Sequence, residues 1–108
     1  MKFNTRDYGM VICEKKRYGD GNIALTLTGD TGSKYPGEAI ATLTTNLDET
    51  MDLDDGEFHV KIVEGLKSIA EDAIASGLFV DTGKRQDAGR VANYAAVWRF
   101  ADAKEATA

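Results

Sequence analysis

Six carboxylates lie within ten consecutive residues near the middle of this sequence, and no basic residue separates them. They are Asp48, Glu49, Asp52, Asp54, Asp55 and Glu57. An EF-hand calcium loop needs oxygen ligands at its first, third and fifth positions, glycine at the sixth and glutamate at the twelfth. If Gly56 takes the sixth position, Met51 and Leu53 occupy the first and third, so the pattern fails. Residues 48–57, the acidic loop, are therefore predicted to be solvated, and could meet a basic protein partner or hold a hard cation weakly.

The tripeptide Asp-Thr-Gly occurs twice, at residues 30–32 and 81–83. In aspartic proteases, a carboxylate in this tripeptide shares a proton with a second carboxylate. The chain after Gly83 is too short for the flap and closing strands that such a protease requires. The same tripeptide is also good turn sequence. Turns are therefore the favoured interpretation, and a hydrolase that uses Asp30 or Asp81 is the less favoured alternative.

The other residue types that often perform catalysis are isolated in this sequence. Its only histidine, His59, alternates with Phe58 and Val60 and is therefore predicted on the outer face of a sheet. Its only cysteine, Cys13, lies in an apolar run and is predicted to be a core thiol. One histidine and one distant cysteine do not form a zinc-binding set. We therefore predict that the chain is not an enzyme and that it holds no cofactor and no metal.

Heavy aromatic residues share one alternation phase near the end of the chain, at Tyr94, Trp98 and Phe100. The simplest interpretation is that they face a core. Trp98, which precedes Arg99, could instead form a binding edge, because tryptophan, tyrosine and arginine dominate the energetic hot spots of protein interfaces. The predicted partner-binding residues are therefore Tyr94 and Trp98 together with the six carboxylates of the acidic loop.

The strongest secondary-structure signal is a helix over residues 66 to about 76. Apolar residues recur there with helical spacing along one face, namely Leu66, Ile69, Ala70, Ala73 and Ile74. Gly77 follows and can adopt the left-handed conformation that ends many helices. No other segment has a helical pattern of comparable strength, so we predict one helix packed on one face of a sheet.

Alternating apolar residues predict a four- to five-stranded antiparallel sheet, and so an α+β fold. The predicted strands cover residues 8–18, 23–28, 39–47, 58–62 and 91–100. Threonines at positions 26, 28, 42 and 44 are expected on the outer face, and residues 81–90 are expected to form a loop. We expect a single domain over residues 1–108, ordered from about 7 to 100, with a loose lead-in before it and a flexible tail at 101–108.

Composition narrows the class of protein. The chain has 108 residues, 43% of them hydrophobic, which is enough for one folded domain. The formal net charge of −5 argues against direct nucleic-acid binding, which needs clustered lysine and arginine. No apolar run approaches the ~20 residues of a membrane span, and the N-terminus has no apolar signal-peptide core. We therefore expect a cytoplasmic protein that contacts no membrane, and the sequence leaves its oligomeric state open.

Five segments of the sequence resemble a family of short bacterial proteins of unknown function, found in gut Firmicutes and on their phages and mobile elements. The segments are YGDGNIALTL (18–27), ATLTTNL (41–47), GEFHVK (56–61), GLFVDTGK (77–84) and VWRF (97–100). They consist of turns, strand cores and a helix cap, and the resemblance assigns no catalytic residue. What it implies is a small accessory protein of a phage or mobile element.

That resemblance implies a function for an acidic protein of this size. Small acidic proteins of phages and mobile elements often bind and block host defence nucleases, whose basic nucleic-acid channels can accept an acidic patch. We therefore expect a protein that binds and inhibits a host protein, a nucleic-acid-handling defence nuclease in the manner of an anti-CRISPR protein. The alternatives are a small-molecule- or cation-binding domain, using the outer threonine face or the acidic loop, and the hydrolase described above.

Overall fold

The computed structural model describes residues 1–46, 53, 54, 56–86 and 94–102 of the chain. Within these residues the strands are β1 (Lys2–Thr5), β2 (Gly9–Arg17), β3 (Ile23–Gly29), β4 (Ala39–Thr42), β5 (Glu57–Lys61), β6 (Phe79–Gln86) and β7 (Ala95–Phe100). A 3-10 turn, Glu64–Leu66, leads into helix α1 (Lys67–Ala75). Every pair of neighbouring strands is antiparallel. The predicted α+β class is confirmed, as is a single α-helix within the described residues.

The strands form two sheets, in the orders β1-β2-β3-β4 and β5-β7-β6. Two backbone hydrogen bonds join the sheets, between the segment that follows β4 and strand β5. The Thr45 N–H donates to the His59 carbonyl at 3.1 Å, and the Lys61 N–H donates to the Leu43 carbonyl at 2.9 Å. The sequence predicts four or five strands in one sheet, whereas the described residues contain seven strands in two joined sheets. The two strands that the sequence does not predict are β1 and β6. They were missed because β1 and most of β6 are too polar to show an alternation of apolar residues.

The hydrophobic core fills the space between the two sheets and α1. Val11 and Leu25 of the first sheet are fully buried there. Phe79 of β6 lies within an aromatic cluster, and its ring centroid is 6.3 Å from that of Phe3 and 6.1 Å from that of Phe58, both in edge-on geometry. Edge-to-face contacts are favourable because the positive ring edge meets the negative ring face. The aromatic cluster therefore fixes β1, β5 and β6 against one another.

Helix α1 buries the apolar stripe that the sequence predicts. Ile69, Ala70 and Ala73 are buried, and Leu66 and Ile74 are partly buried. Gly77 adopts a positive φ of 81°, and its N–H donates to the Ile74 carbonyl at 3.1 Å. The predicted helix stripe and its glycine stop are therefore confirmed.

The predicted loose lead-in at residues 1–6 is wrong. Residues 2–5 form β1, in which Phe3 and Thr5 are almost fully buried. Arg6 then anchors the helix, because its guanidinium Nη2 lies 2.9 Å from Asp72 Oδ1 and its backbone N–H donates to Asp72 Oδ2 at 2.9 Å. Only one strong apolar residue, Phe3, marks this strand in the sequence, so its burial depends on partners far along the chain.

The predicted loop at residues 81–90 is wrong over its first six residues, which belong to β6. The second Asp-Thr-Gly lies inside this strand, where the pairing with β7 is irregular between Asp81 and Arg85. Gly83 has a positive φ of 85° at that irregularity, as expected for a bulge. The first Asp-Thr-Gly does form the predicted turn, in which the Ser33 N–H donates to the Asp30 carbonyl at 2.9 Å.

The threonine face is only partly as predicted. Thr26, Thr28 and Thr42 are half-buried, but Thr44 is 1% exposed. Its hydroxyl accepts the Leu25 N–H at 3.0 Å and lies 3.0 Å from the Tyr18 hydroxyl. These hydrogen bonds allow a polar side chain to be buried, because they replace those it would make to water.

The end of the chain is described only to residue 102. Ala101, predicted to begin a flexible tail, donates its N–H to the Leu78 carbonyl at 2.9 Å. The remainder of the predicted tail, residues 103–108, lies outside the described residues. A helix long and apolar enough to cross a membrane is not found in the described part of the chain.

Candidate functional site

An open groove of about 420 Å³ lies between α1 and the second sheet. The helix contributes Lys67, Ala70, Glu71, Ile74 and Ala75, and the sheet side contributes Ile62, Asp81, Arg85, Tyr94, Ala96 and Trp98. Residues directly opposite each other in paired strands point to the same face of a sheet. Trp98 lies opposite Asp81, and Ala96 lies opposite Arg85, so the pairing of β6 with β7 brings all four to the face beside the helix.

The groove exists because small side chains face each other across it. Ala70 and Ala75 line it from the helix, and Ala96 lines it from the centre of β7. Ala70 and Ala96 are buried within the wall, whereas Ala75 is exposed at the mouth. Close packing normally leaves few voids larger than a water molecule. Three alanines at facing positions leave room that a leucine or phenylalanine would fill.

Trp98 is the most unusual residue of this groove. The residue is 2% exposed, and its ring packs against Phe79 with centroids 5.8 Å apart. Its indole Nε1 is buried and has no hydrogen-bond acceptor among the described residues. Buried tryptophan N–H groups usually have a partner, and leaving one unpaired costs about 1–3 kcal/mol. Trp98 therefore holds a buried donor that is unsatisfied within the described residues.

An ion pair and an aromatic ring form one side of the groove. Arg85 Nη1 and Nη2 donate to Asp81 Oδ1 and Oδ2, each at 2.9 Å. The guanidinium carbon lies 5.6 Å from the Tyr94 ring centroid. The hydrogen bonds from Arg85 lower the pKa of Asp81, and the same bonds raise the pKa of Arg85. Both groups are therefore charged and held in place.

The predicted binding aromatics both lie in this groove, with different exposures. Tyr94 is 38% exposed and borders the groove, as an anchor for a partner could. Trp98 is buried, so the prediction of a binding edge at Trp98 is corrected: it forms part of a wall. Its position follows from its pairing with Phe58 on one side and Asp81 on the other, since β7 is the central strand of the sheet.

Within the acidic loop only residues 53, 54, 56 and 57 are described, and the carboxylate of Glu57 is buried. Glu57, predicted to bind a partner, is 8% exposed, and its Oε1 lies 2.8 Å from Lys84 Nζ and accepts the Asp54 N–H at 2.7 Å. The buried carboxylate is thus neutralised by a lysine from β6, which the sequence places 27 residues away. The Asp54 side chain is 84% exposed, with its Oδ2 3.4 Å from the same lysine. The other predicted carboxylates, Asp48, Glu49, Asp52 and Asp55, lie outside the described residues.

His59 does not lie on a solvent-exposed face. It is 3% exposed, and its Nε2 lies 2.8 Å from Gln86 Oε1. Burial lowers the pKa of His59, since it disfavours the charged imidazolium. Ala95 and Val97 on the same face of β7 are fully buried. In the sequence, the continuous apolar run from Ala95 to Trp98 could have indicated that this sheet is buried on both faces, including the face that carries His59.

The other residues that the sequence singled out for possible chemistry, Cys13 and Asp30, have structural roles. Cys13 is 2% exposed, as predicted for a core thiol, and burial raises its pKa to about 11. Asp30 lies 3.1 Å from Lys2 Nζ, and hydrogen bonds from the Thr31 N–H and Lys2 lower its pKa. Among the described residues, no three His, Cys, Asp or Glu side chains cluster in a way that could hold a metal ion. Asp30 follows β3 of the first sheet and Asp81 lies in β6 of the second, so each carboxylate has its own cation.

Comparison of the chain with protein-family models, with curated proteins and with solved structures found no match.

Proposed function

We propose that this protein is a non-catalytic binding protein that holds a small, largely apolar molecule in the groove between α1 and the second sheet. The observation that carries the proposal is an apolar wall open to solvent and bordered by fixed charges. Small-molecule sites typically occupy about 300–1,000 Å³, are lined mainly by apolar groups and contain a few placed polar groups. The groove, at about 420 Å³, fits that description. We place its action in the cytoplasm.

The absence of catalysis is part of the same proposal. A general acid or base needs a pKa near the working pH and a free position for the proton. Of the two carboxylates that line the groove, Glu71 and Asp81, the second has its pKa lowered by Arg85, which donates a hydrogen bond to each of its oxygens. It is thus a poor proton carrier at neutral pH. These facts favour binding over hydrolysis at the second Asp-Thr-Gly.

Blocking the groove tests the proposal. Ala75→Phe should fill its exposed mouth, while Ala39→Phe adds the same side chain at an exposed position outside the groove. With the uncharged dye N-phenyl-1-naphthylamine, we expect enhanced dye fluorescence and quenching of Trp98, the only tryptophan of the chain. Ala75→Phe should weaken dye binding about tenfold or more, which corresponds to about 1.4 kcal/mol. Equal binding by wild type, Ala75→Phe and Ala39→Phe would refute the groove as the site.

A second candidate function is the inhibition of a host protein with a basic surface. The supporting observations are the net charge of −5 and the carboxylate of Asp54, whose side chain is 84% exposed at the end of the acidic loop. Together with the resemblance to mobile-element proteins, they favour an acidic inhibitor of a nucleic-acid-handling defence nuclease. Complementary charges would accelerate association with such a partner. In this case Tyr94, rather than Trp98, supplies the exposed aromatic anchor.

A further inference from the structure

We propose that the ligand of the groove contains a flat aromatic ring system, which stacks against Tyr94 and Arg85, the rim of the groove, and extends over its alanine-lined wall. This inference rests on the proposed small-molecule function and specifies the chemical class of its ligand. It follows from three features of the groove: the exposed surfaces of its rim, the hydrogen bonds that fix the rim, and the small side chains of its wall.

The rim presents two planar groups to solvent. Tyr94 is 38% exposed and the side chain of Arg85 is 42% exposed, and both line the groove. The Arg85 guanidinium carbon lies 5.6 Å from the Tyr94 ring centroid, close enough for one bicyclic ring system to contact both groups. The negative face of an aromatic ligand attracts the guanidinium cation, and its ring also pairs favourably with the tyrosine ring. A saturated ligand of the same size gains neither interaction.

Hydrogen bonds hold the rim in place before a ligand arrives. Arg85 donates to both carboxylate oxygens of Asp81 at 2.9 Å and to the Lys84 carbonyl at 2.8 Å. Tyr94 directly precedes β7, the central strand of the second sheet. A contact surface that is already ordered binds a ligand without the entropy cost of ordering flexible side chains. Because Asp81 already matches the charge of Arg85, the rim offers a ligand a flat surface more than a counter-charge.

Small side chains line the wall of the groove. Helix α1 contributes Ala70 and Ala75, and β7 contributes Ala96. Alanine has no side-chain rotamers to lose, so packing a ligand on these methyl groups costs no side-chain entropy. A rigid ring system likewise loses no internal freedom on binding, whereas a flexible alkyl chain does. The wall therefore favours a rigid apolar body, and the rim makes an aromatic body the better fit.

The test compares two alcohols with the same bicyclic frame, 2-naphthalenemethanol and its saturated analogue decahydro-2-naphthalenemethanol. They bury similar apolar areas, so the hydrophobic effect alone does not favour the aromatic one. Titrations followed through the methyl signals of Ala70 and Ala75, in protein labelled with ¹³C-alanine, give both affinities. We expect the aromatic alcohol to bind with a dissociation constant on the order of millimolar, as a fragment of this size should. It should bind about fivefold more tightly than the saturated alcohol.

Substitutions at the rim separate stacking from burial. Tyr94→Leu keeps an apolar side chain but removes the ring, and Arg85→Lys keeps the charge but removes the planar group. Each should reduce the aromatic preference to about twofold or less, with the affinity for the saturated alcohol nearly unchanged. Tyr94→Phe is the matched control, because it keeps the ring and should preserve the aromatic preference. Both positions are exposed, so the variants should fold, which circular dichroism would verify.

The outcomes distinguish this inference from the proposed function. Equal affinities of the two alcohols for the wild-type protein, with alanine methyl shifts in both cases, would overturn the inference and leave the groove a binding site. An unchanged aromatic preference in Tyr94→Leu or in Arg85→Lys would overturn it as well. If neither alcohol shifts the signals of Ala70 and Ala75 and the uncharged dye does not bind, the proposed function fails together with the inference.

Discussion

At the residue scale, two buried nitrogen heterocycles of the second sheet differ in how their polar atoms are satisfied. His59 is 3% exposed and its Nε2 lies 2.8 Å from Gln86 Oε1. Trp98 is 2% exposed and its Nε1 has no acceptor among the described residues. A satisfied buried group contributes to stability, whereas an unsatisfied one reduces it and calls for another explanation. We therefore interpret His59 as a residue that supports the fold through its hydrogen bond, whereas the indole N–H of Trp98 is buried at a cost in stability.

Burial of His59 predicts a pH dependence of stability. Because its pKa is lower in the folded protein, the unfolded chain binds the proton more readily, and stability falls as the pH decreases below about 6.5. The carboxylates with lowered pKa values, such as Asp72 and Asp81, lose their contribution only at more acidic pH, below about 4. Urea unfolding between pH 7 and 5 should show the loss, and His59→Gln should flatten it. The same slope in wild type and His59→Gln would refute this assignment.

Gly29 is predicted to tolerate no side chain. A Cβ atom at this position would lie 2.0 Å from the backbone carbonyl oxygen of Tyr35. The backbone there is fixed, because the Gly29 N–H donates to the Glu38 carbonyl at 2.9 Å and the Gly29 carbonyl accepts the Gly37 N–H at 2.8 Å. Gly29→Ala should therefore reduce the free energy of unfolding by about 1–3 kcal/mol, measured in urea. Gly19→Ala is the matched control, since nothing lies within 4 Å of its added Cβ; equal effects of the two would contradict the prediction.

At the element scale, α1 makes two kinds of contact. Its buried apolar stripe packs into the core, and its exposed side forms hydrogen bonds with the turn between β1 and β2. Arg6 Nη2 lies 2.9 Å from Asp72 Oδ1, and the Ser68 hydroxyl donates to Asp7 Oδ2 at 2.7 Å. Between stripe and sheet the helix also leaves the groove open. The docking of one short helix therefore determines both the closure of the core and the shape of the groove.

Two isoleucines of α1 should respond differently to the same substitution. Ile69 is 2% exposed in the core, whereas Ile74 is only partly buried and lines the groove. Ile69→Asp should prevent folding, because it buries an unpaired charge. Ile74→Asp should leave a folded protein of lower melting temperature, because its carboxylate can reach water through the groove. Circular dichroism melts would decide this, with Ile69→Val, at a cost of about 0.5–1.5 kcal/mol, as the conservative control. A folded Ile69→Asp protein would show that the helix packing is wrongly assigned.

At the scale of the whole molecule, the balance of charge bears on what approaches the protein. The net charge is −5, yet Lys84 neutralises the buried Glu57 and contacts Asp54 at one end of the acidic loop. Long-range attraction depends on the summed charge, whereas the groove itself carries equal numbers of cations and anions. A basic macromolecule and an uncharged small molecule would therefore use different parts of the surface.

If the protein inhibits a basic host partner, that interaction should depend on salt. Substituting Asp52, Asp54 and Asp55 with Asn should slow association with a partner captured from host lysate by roughly tenfold, because steering acts on the association rate. Raising the ionic strength should have a similar effect, since exposed charges are screened beyond about 8–10 Å. The matched control removes three exposed carboxylates elsewhere, through Glu14→Gln, Glu38→Gln and Glu64→Gln. Salt-independent binding, or equal slowing by both triple variants, would refute the electrostatic-inhibitor proposal.

The sequence by itself determined the elements whose signals are local. Helical spacing from Leu66 to Ile74 and Gly77 after it located α1, because a helix places residues three and four apart on one face. The apolar run around Cys13 likewise located a buried thiol in β2. Alternating apolar residues identified the strands in which one face is plainly apolar, such as β3. In these elements each residue's environment follows from its neighbours in the chain.

Only the tertiary structure decided the features that depend on distant partners. Glu57 became buried because Lys84 reaches it from β6, and β1 became a strand because it pairs with β2 and buries Phe3 against Phe79. The groove has the same origin: Trp98 and Asp81 face α1 only because β6 pairs with β7 in this register. A sequence records the polarity of each residue but not which residue lies opposite it, and pairing across the chain decides whether a polar group is satisfied, exposed or left buried without a partner.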